Sequence, residues 1–134
     1  MKNWIGIRVR LARDPVTPRA FSGEDIQHYL DAAAQPGALT AAINYYRALR
    51  FEKMWDINGQ LERIDVPVLI LWGRHDRYLG DELAEPPSEW VSDCKVVLLD
   101  DASHWVQVDQ PERVNQELLA FLSSHGDPSS AEVA

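Results

Sequence analysis

Two short apolar runs constrain this chain more than any other feature: Val68-Leu69-Ile70-Leu71-Trp72 and Val96-Val97-Leu98-Leu99. Neither shows the alternation of a strand with one wet face. A continuous apolar run bounded by turn signals suits a strand covered on both faces, as in a parallel sheet with helices above and below. The spacing predicts strands over 66–72 and 95–99, and the helical stretch expected between them makes the pair parallel. Each run ends in a polar turn, Gly73-Arg74-His75-Asp76 after the first and Asp101-Ala102-Ser103-His104 after the second. Ligands of open α/β sheets bind beyond the carboxyl ends of the strands. An acid, Asp76, and a base, His104, are therefore expected at one edge of the sheet.

The rest of the chain reads as helices and connectors. Trp4, Ile5, Ile7, Val9 and Leu11, interleaved with Arg8, Arg10 and Arg13, predict an amphipathic helix or strand, followed by a loop at Asp14-Pro15 and Thr17-Pro18. Ser22-Gly23-Glu24-Asp25 fits a capping box. Ile26, Tyr29, Leu30 and Ala33 then recur at helical spacing until Gln35-Pro36-Gly37 stops them. A second helix is predicted over 38–51, with Leu39, Ala42, Ile43, Tyr46 and Leu49 on one face. Residues 52–65 read as a polar linker and 81–91 as a short helix interrupted by Pro86-Pro87. In the last helix, Asp109 and Glu112 are expected to form a capping box, with Pro111 in the first turn. Its buried face is expected to hold Val114, Leu118, Phe121 and Leu122.

Composition narrows the function classes. The net charge of −8 argues against a nucleic-acid or anionic-membrane partner. A single cysteine, Cys94, precludes an intrachain disulfide and a cysteine-based metal cluster, and reads as structural. No apolar run reaches the roughly 18 residues of a spanning helix, and the first residues lack a signal-peptide core. A soluble cytoplasmic protein is expected.

Residues 22–122 resemble the C-terminal half of epoxide hydrolases of the α/β-hydrolase superfamily. Pro36 to Arg47, ending in Asn44-Tyr45-Tyr46-Arg47, is similar to the cap-domain helix; Pro67 to Asp76 is similar to the strand and turn that carry the triad acid; and Ser103 to Asn115 is similar to the triad histidine and the last helix. Acid before histidine is also the superfamily's chain order. The resemblance implies an α/β fold consisting of cap helices followed by the last two parallel strands and their helices. It implies a division into a cap segment (1–55), the C-terminal part of the core (56–123) and a disordered tail (124–134). His104 would be the general base that activates water, Asp76 the triad acid that orients it, and Tyr46 the donor to the epoxide oxygen. The substrate would be a small epoxide or related electrophile, opened to a diol through an alkyl-enzyme ester by side chains and water alone, so no metal or organic cofactor is implied. The family's aspartate nucleophile turn, its His-Gly-x-Pro loop and its second cap tyrosine find no counterpart here. Such enzymes usually exceed roughly 250 residues, so the chain is expected to be a truncated product, a partial gene model or one piece of a split enzyme, inactive alone.

Each residue also has a plainer reading. His104 is then a loop histidine, Asp76 a turn or cap residue, and Tyr46 a member of the apolar stripe of its helix. Trp105 reads as part of the site wall, Ser103 as a turn residue and His75 as exposed. Two other functions stand beside the first. Haloacetate or haloalkane dehalogenases share the carboxylate–histidine–acid logic, though they favour tryptophan, histidine or arginine donors in the cap. Alternatively, the chain is a non-catalytic remnant, or a subunit that completes an N-terminal half or a second copy through an exposed sheet edge.

Overall fold

The structure, a computed structural model, describes residues 4–48 and 62–126. It divides into two compact units, one drawn from Met1–Arg13 and Phe21–Arg63, the other from Asp14–Ala20 and Ile64–Ala134. The boundary expected near residue 55, most of the linker at 52–65 and the end of the tail from residue 127 lie outside the described residues.

The first unit is helical. The opening segment, left open between helix and strand, forms α1 (Ile5–Arg13). The capping box at Ser22 forms as expected and starts α2 (Gly23–Ala34): the Asp25 backbone N–H donates to Ser22 Oγ at 3.1 Å, and Ser22 N–H donates to Asp25 Oδ2 at 2.8 Å. These bonds satisfy helix-end donors that would otherwise need water, and they hold the Asp25 carboxyl below its ordinary value, the Ser22 hydroxyl contributing most. Gly37, at φ 81°, takes the left-handed conformation that suits glycine and turns the chain into α3 (Ala38–Ala48). Leu11, Phe21 and Leu30 are buried, and the Phe21 ring meets Tyr29 edge-on with centroids 5.6 Å apart. The apolar stripe of α3 is not a buried face: Leu39, Ile43 and Tyr46 are all exposed, and residues 49–51 of the expected helix lie outside the described residues.

The second unit contains the two strands. β1 (Val68–Gly73) pairs in parallel with β2 (Cys94–Leu99), in a register that sets Val68 opposite Cys94 and Gly73 opposite Leu99. Burial differs from expectation. Val68 to Trp72 are half-buried rather than enclosed on both faces, because each strand has one ladder partner among the described residues. The helix expected at 81–91 is reduced to a single 3-10 turn, Asp81–Leu83. Pro86 and Pro87 supply no N–H to continue it.

Beyond β2 come two helices in place of the one expected, α4 (Val106–Asp109) and α5 (Pro111–His125). Pro111 sits in the first turn of α5 as expected, but Asp109 does not cap it. The N-cap is Gln110, which makes no side-chain capping bond. Asp109 is instead buried and bonded elsewhere, as described below. Leu99, Ala102 and Val114 form the core, with Leu71, Val97 and Val106 packed against it. Leu118 and Leu122, expected in the buried face of α5, are exposed. The core therefore sits under the carboxyl ends of the strands, where the two polar turns begin.

Leu99 is the last residue of β2 and belongs to that core. Leu99→Ala is expected to lower stability by about 3 kcal/mol, the usual range for emptying a well-packed leucine site. Urea denaturation measures it. A loss under ~1 kcal/mol would show that this cluster does not hold the strand ends.

Candidate active site

The turn after β1 is built by close backbone approach. A Cβ at Gly73 would fall inside the van der Waals envelope of the Ser103 and Ala102 carbonyl oxygens, so glycine is the residue that fits. Two main-chain bonds then tie the two turns together: Arg74 N–H donates to Leu99 O at 3.0 Å, and His75 N–H donates to Ala102 O at 2.9 Å. Arg74 adds ion pairs to Asp81 (2.9 Å) and Asp100 (2.7 Å). At this exposure such pairs contribute little to stability. His75 itself is exposed, as expected.

This framework brings Asp76 and His104 together. His104 Nδ1 lies 2.8 Å from Asp76 Oδ2. The other carboxylate oxygen, Oδ1, accepts from the backbone N–H groups of Tyr78 at 2.8 Å and Leu79 at 3.1 Å. Asp76 is 7% exposed, and His104 43%. Burial alone would raise the Asp76 pKa. The hydrogen bond to His104, with those from Tyr78 and Leu79 and the charge of the His104 ring when protonated, outweighs it and holds the carboxyl below its ordinary value. At neutral pH Asp76 is therefore ionised and can only accept, so the neutral imidazole carries its proton on Nδ1 and presents a lone pair on Nε2. That tautomer suits a general base.

Two aromatic rings flank the exposed His104. Tyr78 meets it edge-on at 5.1 Å and 71°, and Trp105 at 5.9 Å and 87°. A mainly apolar recess of about 190 Å³ opens beside it, lined by Leu71, Trp72, Gly73, Asp76, Leu79, Ser103, His104 and Val106. A larger recess of about 410 Å³ lies near Glu85 and Cys94, without an acid–base pair in its lining.

Ser103 and Asp109 carry more than their sequence positions suggested. Ser103, expected as a plain turn residue, is buried, and its N–H and Oγ both donate to Asp109 Oδ2, at 2.9 and 2.5 Å. Ser103 Oγ in turn accepts from Trp105 N–H at 3.1 Å. Asp109 Oδ1 accepts from Thr17 N–H at 2.8 Å, and its carbonyl oxygen accepts from Thr17 Oγ1 at 3.0 Å. The Tyr78 hydroxyl donates to the buried Asp14 carboxyl. The clue in the sequence was two hydrogen-bonding residues, Asp14 and Thr17, each set directly before a proline, a pattern that the loop reading absorbed. Tyr46, the third expected site residue, belongs to the other unit. It lies on α3, 70% exposed, with its ring edge-on to Tyr45. That exposure does not fit the core-packing reading of Tyr46.

Among the described residues no group of three or more His, Cys, Asp or Glu side chains could hold a metal ion, and no helix is long and apolar enough to cross a membrane. A family model described as the alpha/beta hydrolase fold matches residues 1–111. The chain is 36% identical over 107 residues to the AB hydrolase superfamily protein YfhM of Bacillus subtilis, covering 80% of this chain and 36% of that protein. It is 38% identical over 103 residues to epoxide hydrolase 2 of Caenorhabditis elegans, covering 77% of this chain and 28% of that protein. Among solved structures, an epoxide hydrolase from Bacillus megaterium matches with a TM-score of 0.65 and 27% identity, over 78% of this chain and 38% of that one. The chain thus spans about a third of the length of these relatives.

The lowered Asp76 pKa fixes a pH dependence. Its ionised form is favoured by folding, so its contribution is present above 3.8 and is lost as pH falls through the lower, folded-state value. Asp76→Asn is expected to cost roughly 2 kcal/mol at pH 7, the range for a hydrogen-bonded charged group. The gap between wild type and variant should close as the pH is taken below 3.8. Urea titrations of both proteins at several pH values check it, and a gap independent of pH would contradict it.

Proposed function

Because this chain belongs to the α/β hydrolase fold family, we propose that Asp76 and His104 are the acid–base pair of a hydrolytic site that acts on a small epoxide. The observation that carries the reading is the 2.8 Å bond between His104 Nδ1 and Asp76 Oδ2 at the ends of two parallel strands. It leaves His104 Nε2 as the basic atom. Similarity to proteins named epoxide hydrolases supports the substrate class, as does the Asn44-Tyr45-Tyr46-Arg47 segment on α3.

The chemistry runs in two steps. A carboxylate nucleophile forms a bond to one epoxide carbon while that carbon's bond to the ring oxygen breaks. Tyr46 gives a proton to the departing oxygen, which would otherwise leave as a poor alkoxide. A water then attacks the carbonyl carbon of the resulting ester. His104 Nε2 takes the water's proton, and Asp76 stabilises the imidazolium. Collapse of the tetrahedral intermediate breaks the ester bond to the product oxygen; the His104 imidazolium gives its proton to that departing alkoxide and frees the diol, and the carboxylic acid left behind gives its proton to the tyrosinate, which restores the carboxylate nucleophile and Tyr46. Asp76 and His104 serve the second step and Tyr46 the first. No residue of this chain is assigned as the nucleophile, so the chain alone is expected to turn over no epoxide.

The test grafts this chain in place of the matching segment of the C. elegans epoxide hydrolase. The chimera is expected to hydrolyse an epoxide. His104→Gln in it should form the ester but stall there, giving one equivalent of opened epoxide per protein and no further turnover. Tyr46→Phe should slow epoxide opening about a hundredfold, within the usual range for one positioned proton donor. Steady turnover in the His104→Gln chimera would refute the base assignment, and unchanged opening in Tyr46→Phe would refute the donor.

A further inference from the structure

We propose that the segment Asp14–Ala20 is a positioning strap that joins the acid-bearing turn to the base-bearing turn and so sets the geometry of the Asp76–His104 pair. The segment belongs to the same compact unit as both strands. It reaches both turns, at points distant in sequence. At one end Asp14, itself buried, accepts the hydroxyl of Tyr78, two residues past Asp76, while the Tyr78 ring lies edge-on against His104. At the middle of the segment Thr17 donates twice to Asp109, through N–H to the carboxyl and through Oγ1 to the carbonyl. The same Asp109 carboxyl holds the N–H and Oγ of Ser103, the residue before His104.

Two observations make this a positioning device rather than a loop that happens to lie nearby. First, two separate ties reach His104: the Asp14–Tyr78 bond fixes a ring against the imidazole, and the Thr17–Asp109–Ser103 chain fixes the backbone that carries it. Asp109 is 4% exposed, and its two carboxyl oxygens take donors from different segments, so moving one segment leaves a buried acceptor short of its partner, which is unfavourable. Second, the strap holds a strained residue. Arg19 sits at φ 61°, a left-handed conformation that costs a side-chain-bearing residue on the order of 1 kcal/mol. It lies inside a turn closed by Ala20 N–H to Thr17 O at 3.2 Å. Such conformations persist where the surroundings over-determine the backbone. Asp14, Thr17, Tyr78 and Asp109 act through His104's neighbours and are positioning residues. The proposal rests on reading His104 as the base.

The readout needs no substrate, which separates this proposal from the hydrolytic reading. The exchange rate of the His104 Nδ1 proton with water, followed by NMR in the full chain, reports how well the Asp76 bond is held. Tyr78→Phe keeps the ring and removes the hydroxyl that donates to Asp14. It is expected to speed that exchange roughly tenfold, the effect of one ordinary hydrogen bond on a local opening equilibrium, while backbone amides in β2 keep their protection. Thr17→Val should also speed it, and Thr17→Ser, which restores the hydroxyl, should return it to the wild-type rate. If Tyr78→Phe and Thr17→Val both leave the Nδ1 exchange unchanged, or speed it only in step with the β2 amides, the strap is ordinary structure and the proposal is wrong. The expected exchange pattern together with an inactive chimera would support the strap and count against the epoxide reading alone.

Discussion

The structure around the candidate site depends on one charge being ionised and fully bonded. Asp76 is largely buried, and an ionised carboxylate is unfavourable there unless its oxygens are occupied. Both are: Oδ1 by the Tyr78 and Leu79 amides, Oδ2 by His104. That satisfaction lets the carboxylate stay charged at neutral pH, and the charged carboxylate fixes which nitrogen of His104 bears the proton. The chemistry expected of His104 follows from this, because a base needs its free lone pair on the atom that faces the reaction rather than on the atom that faces its support.

The fold supplies the distances. Strands in register bring Gly73 opposite Leu99, so the two polar turns start level. The missing Cβ at Gly73 lets the Ala102–Ser103 backbone pass close over the first turn. The small core of Leu99, Ala102 and Val114 lies directly below. The apolar packing and the polar network are thus one construction. Ala102 belongs to the core and also accepts the His75 N–H, and Ser103 is buried beside it while bonded to Asp109. A buried serine and a buried aspartate are tolerable together because each satisfies the other.

Much of this was legible in the chain. The absence of alternation in Val68–Trp72 and Val96–Leu99 located the parallel pair to within two residues at each end. Local signals worked where the interaction is local, as with the Ser22–Asp25 capping box and the Gly37 turn. Placing Asp76 and His104 at one edge needed only the rule that strand ends share a crevice. Asp109 shows where such reading stops. Its place before Pro111 made a helix cap the natural expectation, yet its carboxyl is used by Ser103 and by Thr17, the latter 92 positions away. The Asp14–Tyr78 bond spans 64 positions. Contacts of that separation leave no periodic trace, because they depend on how two segments meet and not on how either one folds. The burial of β1 and of α3 was overestimated for a related reason: an apolar stripe states that a face can be covered, and only the neighbours decide whether it is.

The most direct test of the central claim is the protonation pattern of the His104 ring, read from the nitrogen-15 shifts of Nδ1 and Nε2 at neutral pH. In the neutral form of the ring, an ionised Asp76 bonded to Nδ1–H requires Nδ1 to resonate as a protonated nitrogen and Nε2 as an unprotonated one, with Asp76→Asn weakening that preference. A ring protonated on Nε2, or one whose two nitrogens give the same averaged shift, would mean that Asp76 does not hold the imidazole, and the assignment of His104 as a base would fall with it.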